Sequence, residues 1–220
     1  MSARRRRLRR LRTHYFSAQW LAGGWLADLG PQNGRRTLVR RIPSPNYNER
    51  PSQTMVSLLI VHAISLPPGR YDPYPVKRFF LNRLNARGHP YFEQIATREV
   101  SSHFYIGRDG AALQFVATEQ RAWHAGESSW QGRKKCNDYT IGVELAGSDT
   151  DPFRAAQYRV LRRLISVLRQ RYPNMVDIAG HYHIAPGRKR DPGPCFSWHR
   201  LLPGNPRLPT SLREVECRLQ

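Results

Sequence analysis

Residues 56–62 read VSLLIVH, and no other stretch limits the possible folds as much. The run has no charge before its final histidine and no turn former, and Val56, Ile60 and Val61 are β-branched. A strand with one wet face alternates apolar and polar residues. An uninterrupted apolar run is instead the pattern of a strand covered on both sides. A second run of this kind, YTIGVELAG, occupies 139–147. Between and after them the pattern changes period. Val76, Phe79, Phe80 and Leu84 fall on one face of a predicted helix over 76–86. SHFYIG, RDG and ALQFVA (102–117) predict a hairpin with an Asp-Gly turn. Tyr158, Leu161, Leu164, Ile165 and Leu168 mark the longest helix, 153–171, ended by Tyr172-Pro173. DIAGH (177–181) predicts a short strand, followed by an irregular loop over 185–194. The stretch 65–75, SLPPGRYDPYP, is expected to be loop because of its four prolines. Strands and helices interleaved around doubly covered strands predict an α/β fold, a central mixed sheet flanked by helices in one domain.

Charge marks the edges of that domain. The chain of 220 residues carries 36 Lys+Arg against 16 Asp+Glu, a net charge of +20, and only Lys77, Lys134, Lys135 and Lys189 are lysines. Residues 4–12 read RRRRLRRLR, a block that repels itself and is normally solvated. Residues 1–22 are therefore expected to be a basic, unstructured leader, 23–205 the folded domain and 206–220 a tail. A tether to polyanions is the alternative for the Arg block, and a secretory signal fits poorly, because no unbroken apolar segment follows it. Hydrophobic residues at 40% exclude wholesale disorder, and no run of 18 apolar residues exists to span a membrane. Cys136, Cys195 and Cys217 show no CxxC and no legible disulfide framework, the usage of a reducing compartment.

Chemistry is sought where strands end. His62 closes the run VSLLIVH and His181 closes DIAGH, so both side chains are expected on rigid backbone at the rim of the sheet. Asp191, ten residues after His181 in GRKRDPGP, is a carboxylate between Arg190 and Pro192. Two imidazoles and a carboxylate with a fourth position for water form a catalytic zinc set. Spacing alone leaves open that these are ordinary hydrogen-bonded or surface residues. Glu144 interrupts an otherwise apolar strand, which is costly unless it is paired, functional or turned to solvent. Lys189, in a chain that otherwise chooses arginine, suggests a place for a compact ammonium or a solvated charge within RKR.

The segments IVHAISLPPG (60–69), SHFYIGRDG (102–110), RAWHAG (121–126), CNDYTIGVELAG (136–147) and GHYHIAPGRKRDPGP (180–194) together closely resemble the AmpD-type anhydro-N-acetylmuramoyl-L-alanine amidases. These are zinc enzymes of bacterial peptidoglycan recycling that share a fold with phage lysozyme amidases and peptidoglycan recognition proteins. The resemblance covers about residues 24–202. It implies one zinc per chain held by His62, His181 and Asp191, with Glu144 as catalytic acid/base and Lys189 stabilising the oxyanion. It further implies Tyr74 near the metal, and Trp123 and Lys135 lining the groove. The implied partner is an anhydro-muropeptide in the bacterial cytoplasm, with no specific nucleic acid. An exported amidase acting on intact peptidoglycan is the alternative. Three departures stand out. Ala63 replaces an Asn in HNISLPPG, His183 replaces an Asp after the second ligand, and Ala146 replaces an acidic residue. They put substrate contacts in question but remove no proposed ligand.

Overall fold

The computed structural model describes residues 17–32 and 35–201. The Arg block and the expected tail lie outside these residues. The elements in chain order are strands β1 (Gln19–Leu21), β2 (Trp25–Gln32), β3 (Arg35–Arg41), β4 (Tyr47–Glu49) and β5 (Leu58–Ile64), helices α1 (Pro73–Phe80) and α2 (Pro90–Glu93), strands β6 (Phe104–Ile106), β7 (Ala112–Gln114), β8 (Gln120–Ala122), β9 (Ser129–Trp130), β10 (Arg133–Lys134) and β11 (Thr140–Ala146), helix α3 (Ala155–Arg171), strand β12 (Asp177–Gly180), and helices α4 (His181–Ile184) and α5 (Trp198–Leu201).

Eight strands form one mixed sheet in the order β1-β2-β3-β7-β6-β11-β5-β12. β5 lies at the parallel centre, hydrogen-bonded to β11 on one side and β12 on the other, as its unbroken apolar run requires. Its alternate residues divide between two covers. Leu59 and Val61, with Ile141, Val143 and Leu145 of β11, pack on Leu161, Leu164, Ile165 and Leu168 of α3. Leu58 and Ile60 face the other way, onto Ala125, Cys136, Tyr139 and Ile184. The first cover is a long helix. The second is mostly loop, and a face covered by loops can open into a cleft.

Several expectations move. β5 runs on to Ile64, so His62 sits inside the strand rather than at its end. His181 does not close a strand but opens the four-residue α4. Residues 73–75 are not loop: Asp72 caps α1 by accepting from the Tyr74 N–H at 2.9 Å, and Pro73 occupies the first turn, where its missing N–H is no loss. The same helix stops at Phe80, short of 86, and Asn82 takes a left-handed φ of 56°. Leu84 packs on the core from beyond the helix. The sheet begins at Gln19, within the segment expected to be leader, and Trp20 packs against the core. Cys136 is free and buried, and Cys195 is buried.

Two polar side chains join the layers, Gln114 fully buried and Arg50 partly so. Gln114 accepts from the Leu26 N–H at 2.8 Å and donates to the Gly24 carbonyl at 3.0 Å, fastening the β1–β3 meander to the sheet. Arg50 donates to the carbonyls of Asn137 (3.2 Å), Asp138 (2.8 Å), Thr118 (3.3 Å) and Thr140 (2.8 Å). Burial pulls its guanidinium down to about 10 without discharging it at neutral pH. Only a planar fork reaches four carbonyls from one point. Arg50→Ala leaves buried acceptors unpaired and is expected to lower stability by roughly 3 kcal/mol. Arg50→Lys is expected to recover less than half of that. Chemical denaturation of the three proteins at pH 7 measures both.

Candidate active site

Strand register places the first pair of groups. His62 lies directly opposite Glu144 in the parallel β5–β11 ladder. Paired residues project from the same face, so both continue the Leu58–Ile60 row away from α3. His181 reaches the same point from the strand next door, because β12 pairs with β5 up to Gly180↔Val61. Asp191 arrives on the loop that follows α4. That loop can close onto the strand because residue 180 is glycine: a Cβ there would lie 2.8 Å from Pro192 Cδ. The Tyr182 N–H donates to the Asp191 carbonyl at 3.0 Å, holding the return.

The three ligand-type groups form a nearly equilateral triangle. His62 Nδ1 is 3.0 Å from His181 Nδ1 and 3.2 Å from Asp191 Oδ2, and His181 Nδ1 is 3.1 Å from the same oxygen. A tetrahedral zinc with bonds of about 2.0–2.1 Å separates its ligand atoms by about 3.3 Å. The donor set therefore fits a zinc-sized cation with little adjustment. Two imidazole nitrogens facing each other at 3.0 Å need either a shared proton or a cation between them. Burial first, and the neighbouring His181 second, push His62 down to about 4, so its ring is neutral at pH 7 and the single proton can sit on Nε2, leaving Nδ1 free for a cation. The Asp191 carboxyl is held well below the usual carboxylate range; burial works against this, but its bonds to the two histidines win. A neutral His62 and an ionised Asp191 are in the protonation states that metal ligands need.

Glu144 is different. Burial first, and the charge of Asp191 second, drive its carboxyl well above the ordinary value, with Lys189 pulling weakly the other way. Its Oε2 is enclosed and has no hydrogen-bond partner among the described residues. Such a carboxyl binds its proton more tightly than a free one, which suits it to giving a proton as well as taking one.

A cleft of about 490 Å³ opens over these groups, within the size range of small-ligand sites. His62, Glu144, His181 and Asp191 form its floor, Lys189 and Trp123 stand on its walls, and Phe79, Phe80 and Ile95 supply an apolar arm. Lys189 is exposed to the cleft, and its backbone N–H is tied to the Ala185 carbonyl at 3.0 Å. The Trp123 indole donates to Asn48 Oδ1 at 2.8 Å, which fixes the ring's edge.

Two predicted residues are not brought to the cleft. Tyr74 is 59% exposed on the first turn of α1, with the Lys77 ammonium 5.9 Å from its ring, and it does not line the cavity. Lys135 is exposed in a left-handed turn with φ of 58° and does not line it either. Of the three departures, Ala63 lies at the cleft and packs against the main core. Ala146 is buried in the cluster around Phe80. His183 is outside the three-ligand cluster, and its Nδ1 accepts the Gly180 N–H at 2.8 Å. One site residue was not singled out from sequence. His124, within RAWHAG, places Nδ1 2.9 Å from His62 Nε2. A signal for it existed: Gly142 sits inside a β-branched strand, where glycine marks a close approach. A Cβ there would lie 2.6 Å from the His124 ring.

Comparison with known proteins agrees with this geometry. The N-acetylmuramoyl-L-alanine amidase family matches residues 52–194. The chain is 46% identical over 179 residues to the 1,6-anhydro-N-acetylmuramyl-L-alanine amidase AmpD of Citrobacter freundii, covering 81% of this chain and 90% of that protein. A crystal structure of a selenomethionine derivative of AmpD superposes with a TM-score of 0.76 at 45% identity, over 83% of this chain and 97% of the other. The Escherichia coli amidase AmiD, solved in complex with anhydro-N-acetylmuramic acid-L-Ala-D-γ-Glu-L-Lys, aligns with a TM-score of 0.50 at 25% identity, over 78% and 63% of the two chains. Similarity that spans most of the folded unit, at this level of identity, settles the family: the chain belongs to the N-acetylmuramoyl-L-alanine amidases.

Proposed function

We propose that this chain hydrolyses the amide between 1,6-anhydro-N-acetylmuramic acid and L-alanine in muropeptides, using one zinc ion held by His62, His181 and Asp191. The triangle of ligand atoms with edges of 3.0–3.2 Å, beside a carboxyl of raised pKa, carries the reading. The choice of the anhydro substrate is supported by the Citrobacter relative, 90% of whose length is matched. The resemblance to recycling amidases supports the bacterial cytoplasm as the compartment. Among the described residues no helix is long and apolar enough to cross a membrane.

Bound zinc in such a set supplies a water whose pKa falls to about 7 and a Lewis acid for the scissile carbonyl. The chain's own groups do the rest. Glu144 takes the proton of the attacking water and returns it to the departing alanine nitrogen, a double task suited to a carboxyl whose pKa is raised. Lys189 places an ammonium on the wall where the carbonyl oxygen gains negative charge. The apolar arm and Trp123 enclose the substrate and lower the local dielectric, which strengthens both effects. Arg98 and Arg190, also on the cleft wall, offer cations to the carboxylates that a muropeptide carries.

The purified protein is expected to hold one zinc by elemental analysis and to release the peptide from anhydro-muropeptide. Asp191→Ala is expected to lose metal and turnover together. Faster release from intact sacculi than from anhydro-muropeptide would favour the exported-amidase reading instead. Glu144→Gln and Lys189→Ala are expected to keep the metal. Their kcat is expected to fall about 10²–10⁴-fold for the first and about 10²–10³-fold for the second. Lys189→Arg is expected to rescue poorly, because a planar fork does not reproduce a point charge. Single-turnover kinetics beside zinc content separate these roles.

Glu144 also sets a pH dependence of stability in the metal-free protein. Its folded pKa is raised, so above the unfolded value of about 4.3 the unfolded chain gives up its proton more readily than the folded one. The folded state is thus penalised increasingly as pH rises past that value. Glu144→Gln is expected to raise the Tm of the chelator-treated protein at pH 7 and to leave it unchanged near pH 3.5. Scanning calorimetry at the two pH values tests the sign.

A further inference from the structure

His124 lines the cleft beside the ligand cluster and is itself buried behind His62. His62 points Nδ1 at the other two ligand atoms. Its remaining nitrogen, Nε2, lies 2.9 Å from His124 Nδ1, and His124 Nε2 lies 3.1 Å from Thr140 Oγ1. The order of donors follows if Nδ1 of His62 gives its lone pair to a cation. Nε2 of His62 then carries the proton and donates to His124 Nδ1, which leaves the His124 proton on Nε2, donating to the Thr140 hydroxyl. The rings of His62 and His124 meet edge to face, 88° apart at 5.0 Å, so the contact fixes ring orientation as well as tautomer.

The next residue along serves the other imidazole. The Ala125 carbonyl lies 3.3 Å from His181 Nε2. Two consecutive residues thus hold the outer nitrogens of both histidine ligands. The dipeptide is itself clamped: Asn137 Oδ1 accepts the N–H of His124 at 3.0 Å and that of Ala125 at 2.8 Å. Asn137 sits in the turn that Arg50 grips. The bare Gly142 leaves the space that the His124 ring fills. Both outer acceptors, an imidazole and an amide carbonyl, are uncharged. The ligand set of two imidazoles and one carboxylate then leaves a bound divalent cation with one uncancelled positive charge, where a carboxylate behind His62 would cancel it.

We propose that His124 is a positioning residue that fixes the tautomer and ring angle of His62 for metal binding, relayed to Thr140 and seated by Asn137 and Gly142. The inference rests on the reading of His62, His181 and Asp191 as metal ligands, and goes beyond it in assigning a group outside the ligand set. Removing such an outer partner typically weakens metal binding about 10–100-fold.

The test compares wild type, His124→Phe, His124→Asn and Thr140→Val by zinc affinity in chelator competition and by the visible absorption of the cobalt-substituted proteins, with Tm measured alongside. His124→Phe keeps a ring without an acceptor and is expected to weaken zinc about 10–100-fold and shift the cobalt bands. His124→Asn returns an acceptor atom near the position of Nδ1 and is expected to recover most of the affinity. Thr140→Val, similar in volume, is expected to weaken zinc severalfold. Wild-type affinity and an unchanged cobalt spectrum in His124→Phe would overturn the assignment, as would an Asn variant no better than Phe. If His124→Phe does not fold, Thr140→Val decides, and wild-type affinity there overturns the relay. Failure of wild type itself to bind zinc would sink the ligand assignment, and this inference with it. Wild-type binding with indifferent His124 variants sinks this inference alone.

Discussion

The site exists because β5 and β11 run parallel and in register. That pairing sets His62 opposite Glu144 and, by alternation, sends Val61 and Val143 into the core beneath α3. A slip of one residue would bury the histidine under the helix and turn a valine toward the cleft. The apolar packing against α3 therefore does more than stabilise the sheet. It fixes the side on which the reactive groups emerge, and β12, paired to the other edge of β5, brings in His181 on the same terms. Burial on this face then tunes each group according to its neighbours. Asp191, bonded to two imidazoles, stays ionised, and Glu144, without a partner for Oε2, binds a proton more tightly than a free carboxyl does.

Much of this was legible in the chain. The unbroken run at 56–62 predicted a doubly covered strand, and its period predicted the two-sided environment that the structure has. The triplet His62, His181 and Asp191 could be suspected from strand ends and named through the resemblance, and the structure brings the three together. What sequence lost is mostly a matter of termini. His62 was read as the last residue of its strand because the apolar run stops there, but backbone pairing with β11 continues to Ile64 without needing apolar side chains. The prolines of 65–75 were read as excluding a helix, although Pro73 fits the first turn once Asp72 caps it.

Tyr74 and Lys135 illustrate the other limit. Both were carried over by position in a motif, and position in a loop does not fix where a side chain points. Both lie outside the cleft wall, one on the exposed start of α1 and one in a left-handed turn. His124 was missed for the opposite reason. It is not one of the three ligand-type residues, and its effect passes through the ring of His62. The only mark it left in the sequence is indirect, the absence of a side chain at Gly142.

The family match begins at residue 52, but the folded sheet does not. Strand β3 pairs in parallel with β7, and β1 and β2 extend the sheet outward from there, with Leu26 and Leu29 packed into the main core. A fragment cut at the boundary of sequence similarity would keep every proposed ligand and still lack four strands, three of them from the main sheet. It would show β7 as a bare edge, leave Gln114 buried without the Leu26 and Gly24 backbone it serves, and open a trench where two leucines had been. Unpaired edges beside exposed apolar surface are the ordinary starting point for strand-to-strand aggregation. The unit that holds the chemistry and the unit that stays in solution thus have different borders, and the meander before residue 52 makes up the difference.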